Sequence, residues 1–241
     1  MADTTTGIDA LPHAHREPVL DFADLVRNLA GKNAQSLTLF GAIAAGSFDE
    51  RRHTIRSVLV LETVELDLLR ALAEHGKKLG KAKIAAPLIM TADYIRESLD
   101  TFPLELIEIH QNHLTLFGDD HFADLAFRDD HIRLQCEREF KTLLIGLRQG
   151  LLTAAGRDRV LNAIEMDVAE ALLRTLRGLL WLKGTQEAKP ASELLAAVEK
   201  LVGQSLPGVR TALEPDGDHG WYTFQSLYRD VEKLSEIANA W

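Results

Sequence analysis

Residues 41–64 read GAIAAGSFDERRHTIRSVLVLETV. A turn of small residues holding the pair Gly46 and Ser47 leads into a charged loop, FDERRHTI, and then into a dense apolar run. Glycine lets the backbone approach a ligand closely, and successive amides in such a turn form a concavity for an anion. In VLVL, residues 58–61, apolar side chains occupy both parities, the pattern of a strand buried on both faces. The stretch therefore predicts an anion-holding loop followed by a central strand.

Outward from it, SLTLFGAI (36–43) and TIRSVLVLE (54–62) read as strands, and KIAAPLIM (83–90) and FPLELIEIH (102–110) as two more. ELDLLRALAEHGKK (65–78) has a helical apolar period, and TADYIRESL (91–99) reads as a helix with Thr91 as its N-cap. Before the first strand, Val19, Leu20, Phe22, Leu25 and Leu29 recur at helical spacing up to Gly31, where a helix would stop. Strands alternating with helices predict an α/β (α+β) domain on a mixed sheet.

Beyond residue 128 the character changes. Residues 130–155, 157–184, 190–204 and 219–241 carry helical periods with almost no strand signal, broken at Gly156, at KGTQEAKP and at LEPDGDHG. Four such segments with short connections predict an all-α antiparallel bundle. The expected organisation is a flexible tail over 1–15, an α/β domain over 16–128 and a helical bundle over 129–241.

Composition narrows the classes. The 241 residues are 46% hydrophobic and 26% charged, with no run approaching the ~20 apolar residues a membrane helix needs. Lys and Arg number 27 against 36 Asp and Glu, a formal charge of -9, which argues against broad nucleic-acid binding through phosphate neutralisation. The single Cys136 cannot form an internal disulfide, and the start lacks the basic-then-apolar order of a secretory signal, so a cytoplasmic setting is expected.

The Gly46-Ser47 turn, the loop and the strand, within about residues 36–118, resemble the polymerase-β-like nucleotidyltransferase superfamily. FPLELIEIHQNHLTLFGDD and IRLQCEREFKTLLIGLRQGLL look like bacterial members that add a helical domain. In that family the turn grips the terminal phosphates of a nucleoside triphosphate. An Asp-x-Asp at the head of the strand holds two divalent cations, which activate the attacking hydroxyl and stabilise the leaving pyrophosphate. The resemblance places that carboxylate pair at Arg56 and Val58, or one register earlier at Ile55 and Ser57, and none of the four is acidic.

Other acids are scattered: Asp49 and Glu50 in the loop, Glu62 beyond the strand, and Glu105 and Glu108 in FPLELIEIH, where strand parity would send these last two to opposite faces. The basic residues are better grouped. Gly46, Ser47, Arg51, Arg52 and Arg56, with His53 beside them, make a candidate nucleotide or phosphate site that works through charge-assisted hydrogen bonds without metal. The plain alternative is a solvated loop tip, with Arg51 and Arg52 paired to Asp49 and Glu50.

The leading expectation is a catalytically degenerate nucleotidyltransferase-fold protein that binds a nucleotide or phosphorylated ligand or serves as an interaction subunit. It implies no cofactor. The first rival is an active transferase acting on a small molecule, RNA or protein, with Mg²⁺ on unrecognised acids; the second is a non-catalytic scaffold, paired with a protein partner or a second copy through its bundle.

Remaining motifs have structural readings. His110 and His113, three apart on an expected strand, would diverge. The acidic-histidine pairs in GDDHF and RDDHI read as helix caps. Arg70 and His75 match a loose Arg-x4-His ribonuclease signature by chance. Arg133, Glu137 and Lys141 form i,i+4 pairs, Arg148 and Arg177 lie beside apolar residues, and Trp181, Trp221, Tyr222, Phe224 and Tyr228 read as bundle core.

Overall fold

A computed structural model describes residues 8–51, 53–214 and 220–241. Residues 1–7 of the expected tail, Arg52, and 215–219 of the last breaker lie outside the described residues. The chain divides into two compact units, one of residues 1–99 and 108–126, the other of 100–107 and 127–241.

In the first unit, helix α1 (His13–Ala30) precedes strand β1 (Ala34–Phe40), a 3-10 turn over Gly41–Ile43 and strand β2 (Arg56–Leu61). Helices α2 (Leu66–Ala73), α3 (Gly76–Lys81) and α4 (Ala92–Glu97) surround the short strand β3 (Leu88–Met90). Helix α5 (Pro103–Gln111), whose residues 103–107 belong to the second unit, and strand β4 (His113–Gly118) follow. The sheet order is β3-β2-β1-β4. β1 is antiparallel to β2 and to β4, while β2 and β3 are parallel, so the sheet is mixed as expected.

The reading of 58–61 as doubly buried holds: Val58, Leu59, Val60 and Leu61 are all buried. Leu37, Leu39, Ile55, Leu59 and Leu61 join Val19, Phe22 and Val26 of α1 in one cluster. Strand alternation puts Arg56, Val58 and Val60 on the opposite face. There the Thr38 and Thr115 hydroxyls meet at 3.1 Å. The Thr91 cap forms, its side chain accepting from the Tyr94 amide.

Three expectations need correcting. Residues 103–111 are a helix, not a strand, so the parity argument separating Glu105 from Glu108 and His110 from His113 does not apply. Their six-residue core LELIEI alternates apolar and acidic residues loosely enough for either period, and Pro103, first in the helix, is the start signal that decides it. Residues 41–43 leave the strand at Gly41, whose φ of +76° ends the extended backbone. Residues 8–15 are structured: Ile8, Leu11 and His15 are buried, and α1 begins at His13.

In the second unit, helices α6 (Asp129–Ala154), α7 (Asp158–Leu182), α8 (Ala191–Val202) and α10 (Trp221–Ala240) match the four periodic segments. A short α9 (Pro207–Ala212) is added to them. α6 packs on α7 and α10, α7 on α8, and α9 on α10. Their buried residues, among them Phe140, Leu147, Leu172, Leu179, Phe224 and Leu234, form one cluster. Trp181 and Phe224 are buried as expected, whereas Trp221 and Tyr222 are exposed because they begin α10 at its solvent-facing end. No helix among the described residues is long and apolar enough to cross a membrane.

Candidate functional site

The turn after β1 closes on itself. The Ala45 amide donates to the Gly41 carbonyl at 2.9 Å and the Ser47 amide to the Ala42 carbonyl at 3.0 Å. Gly46 takes a φ of +69°, a left-handed conformation that glycine adopts without steric cost. One of the amides that the sequence suggested for anion binding is thus already spent, while the Ser47 side chain is exposed.

The following loop is built around two residues. Asp49 Oδ1 accepts from the Arg51 amide at 2.9 Å, and His53 Nδ1 accepts from the Asp49 amide at 3.0 Å. The His53 amide returns a bond to the Asp49 carbonyl at 2.8 Å. From α1, His15 Nε2 lies 3.0 Å from Glu50 Oε1 and its ring meets Phe48 edge-on at 4.8 Å. The acids of the loop are therefore engaged by the Arg51 backbone and by His15, and the Arg51 side chain points outward, exposed. Sequence reading could not find His15, because nothing local marks a partner so distant along the chain.

Strand alternation in β2 sends the two candidate registers to opposite faces of the sheet. Ile55 is packed in the α1 cluster, and Ser57, of the same parity, is buried on that face with no partner for its hydroxyl among the described residues. Arg56 and Val58 lie on the other face, Arg56 opposite Phe40 and Val58 opposite Thr38 of β1. Val58 is fully buried.

Arg56 is held in a three-sided seat. Its Nη1 donates to Glu108 Oε1 at 2.8 Å, and its guanidinium carbon stands 4.3 Å from the centroid of the Phe40 ring. Below it Gly41 has no side chain; a Cβ there would come within 3.7 Å of Nη1. The arginine side chain is 44% exposed and the glutamate 15%. Guanidinium stacking on an aromatic face and a charge-assisted bond to a carboxylate fix the planar group while leaving further N–H donors toward solvent.

The other acids do not join this seat. Glu105 accepts from Arg174 Nη1 and from Gln135 Nε2, each at 2.7 Å, inside the second unit. His113 Nε2 bonds Asp120 at 2.9 Å, and His110 Nδ1 lies 2.7 Å from the Phe122 carbonyl, so both histidines secure the 119–123 loop. Among the described residues no group of three or more His, Cys, Asp or Glu converges as a metal site. Of the two registers that the resemblance suggests for a carboxylate pair, one holds a fixed cation, Arg56, and a buried valine, Val58, and the other a buried isoleucine, Ile55, and a buried serine, Ser57; none of these residues fits a divalent metal.

In the second unit the expected ion pairs are present. Arg133 meets Glu137 at 2.9 Å, and Lys141 bonds the same carboxylate. Arg148 Nε donates to the Tyr228 hydroxyl at 2.8 Å.

No protein-family model matches the chain, and no curated protein matches it. Among solved structures the fold is similar to spectinomycin adenyltransferase AAD(9) from Enterococcus faecialis, determined with ATP and spectinomycin. The TM-score is 0.58 at 11% sequence identity, over 92% of this chain and 98% of that one. The chain thus has a nucleotidyltransferase-like α/β fold followed by a helical region.

Proposed function

We propose that the chain is a nucleotidyltransferase-fold protein in which metal-dependent transfer has been lost and an arginine-centred anion site remains, binding a nucleotide or another phosphorylated ligand. The carrying observation is the seat of Arg56. In one of the two strand registers that the resemblance offers for the metal-binding carboxylates, a guanidinium is paired with Glu108 and stacked on Phe40. The arginine supplies there the positive charge that a metal supplies in an active transferase, and its remaining N–H groups suit phosphate oxygens. Val58, buried at the second carboxylate position, supports the same reading.

The ligand class draws on the structural neighbour, which was solved with ATP. On this reading Arg56 contacts phosphate, and the exposed side chains of Ser47 and Arg51 are the further candidates that the sequence offers. The Ser47 amide is already bonded to Ala42, so side chains rather than a backbone nest carry the binding. A site whose carboxylate, Glu108, is taken up by Arg56 suits a protein that senses or holds a nucleotide, alone or as a subunit of an assembly, in a bacterial cytoplasm.

Thermal shift with nucleoside triphosphates, with and without Mg²⁺, tests this, because a ligand that binds the folded state raises its melting temperature by mass action. A shift that is independent of Mg²⁺ and lost in Arg56→Ala is expected. A shift that appears only with Mg²⁺ would restore the active-transferase reading, and no shift with any phosphate compound would favour a scaffold.

A further inference from the structure

On the α1 face of the first unit lies a cavity of about 290 Å³, walled by α1, by the turn into α3 and by the segment leaving α3. Phe22, Leu25, Leu79 and Ile84 supply its apolar surface. Its charges are sorted by wall. Glu17 and Asp21, one turn apart on α1, stand on one side; His75 and Lys78 stand on the other. An ion pair, Lys78 Nζ to Asp21 Oδ2 at 3.5 Å, bridges the two walls between well-exposed side chains. Such a pair is weak and readily replaced by a ligand that offers both charges.

We propose that this cavity is a binding site for a small apolar zwitterion, an α-amino acid with an aliphatic or aromatic side chain. Its ammonium meets the carboxylates of Glu17 and Asp21, its carboxylate meets Lys78 and the His75 ring, and its side chain lies on the half-buried Pro18, Leu25 and Ala82, with the buried Phe22, Leu79 and Ile84 behind them. The volume is at the lower limit of ligand cavities, roughly 300–1,000 Å³, which suits a compact metabolite and is too small for a nucleotide. A simple amine or a simple acid would leave one charged wall without a partner, and burying an apolar body beside an unanswered charge is unfavourable.

The cavity is tied at its wall by backbone hydrogen bonds to the residue that precedes strand β2. Its wall residue Ile84 bridges Ile55 as a parallel strand partner, the Ile55 amide donates to the Lys83 carbonyl at 2.7 Å and the Ala85 amide to the Ile55 carbonyl at 3.0 Å. Ile55 immediately precedes Arg56.

The test is thermal shift and calorimetry on the full chain with L-leucine and L-phenylalanine, against isopentylamine and 4-methylpentanoate as the half-molecules and glycine as the zwitterion without an apolar body. A melting-temperature rise with leucine or phenylalanine, exceeding that with any of the three controls, is expected. Glu17→Gln and Lys78→Gln, both surface changes, should each weaken binding at least fivefold, and Leu79→Trp, which fills the cavity, should abolish it. Arg56→Ala should leave amino-acid binding intact, which separates this site from the nucleotide reading. The proposal is overturned by an absent shift at ~10 mM amino acid, by equal shifts with the half-molecules, or by binding undiminished in both charge variants.

Discussion

Arg56 Nη1 and Glu108 Oε1 are 2.8 Å apart, so the site's principal cation already holds an anion of its own chain. Any phosphate that comes to the guanidinium competes with that carboxylate. Glu108→Gln removes the competing charge while keeping the shape of the seat. Triphosphate binding, read by calorimetry without Mg²⁺, is expected to tighten about three- to tenfold, roughly 1 kcal/mol. Because the arginine is nearly half exposed, the stability lost with the ion pair itself is at most about 1 kcal/mol.

Ser57 is buried, among residues that face α1, and its hydroxyl has no partner among the described residues. A buried polar group without a partner costs about 1–3 kcal/mol. Ser57→Ala removes that group at the price of one small atom's packing, and chemical denaturation should show a stability equal to or up to about 1 kcal/mol above that of the parent.

Gly208, in α9, is crossed closely by α10. A Cβ there would stand 2.2 Å from the Leu227 amide nitrogen and 2.3 Å from the Ser226 carbonyl carbon. Backbone atoms cannot rotate aside as a side chain can. Gly208→Ala should destabilise the protein by about 1–3 kcal/mol, toward the upper figure, in a denaturant titration.

Asp230 gives a pH dependence with a definite sign. Its carboxylate is buried and accepts from the Gly208 amide at 2.7 Å and the Val209 amide at 3.2 Å, capping α9 from α10. Burial pushes its pKa above the ordinary aspartate value of 3.8, the two amide bonds only partly opposing this. The folded state therefore holds the proton more tightly than the unfolded one. This contribution to stability is full below the unfolded pKa and is lost as the pH rises through the folded one. Asp230→Asn keeps an oxygen for the two amides but does not titrate. Its stability relative to the parent should improve as the pH rises from about 4 upward, measured by thermal unfolding across that range. Asp120 works in the opposite sense: burial raises its pKa, but the His113 bond and the Phe122 and Ala123 amides outweigh that and leave it below 3.8, so its stabilisation fades in acid.

Much of the fold could be read from local pattern because local chemistry dictates it. VLVL has no parity to spare for water and becomes a central strand, and the long helical periods after residue 128 become α6, α7, α8 and α10. The run at 103–111 could not be read the same way. Leu104 and Ile107 pack in the second unit's cluster while Glu105 and Glu108 form a charged stripe, an arrangement whose helical period shows only when the partners of each face are known. Arg56 was recognisable as a charge out of place, but its seat was not. Phe40 and Gly41, at the end of β1, and Glu108, in α5, come from two segments distant from Arg56 in the chain, and the Ser47 amide is consumed by Ala42, a matter of turn geometry rather than of residue type.

The guanidinium in that seat is covalently part of the chain and keeps its charge at every physiological pH. A site built in this way cannot be emptied by a chelator or limited by the cell's supply of free magnesium. Only ionic strength and competing anions can tune it, and an ordinary EDTA control would leave it untouched.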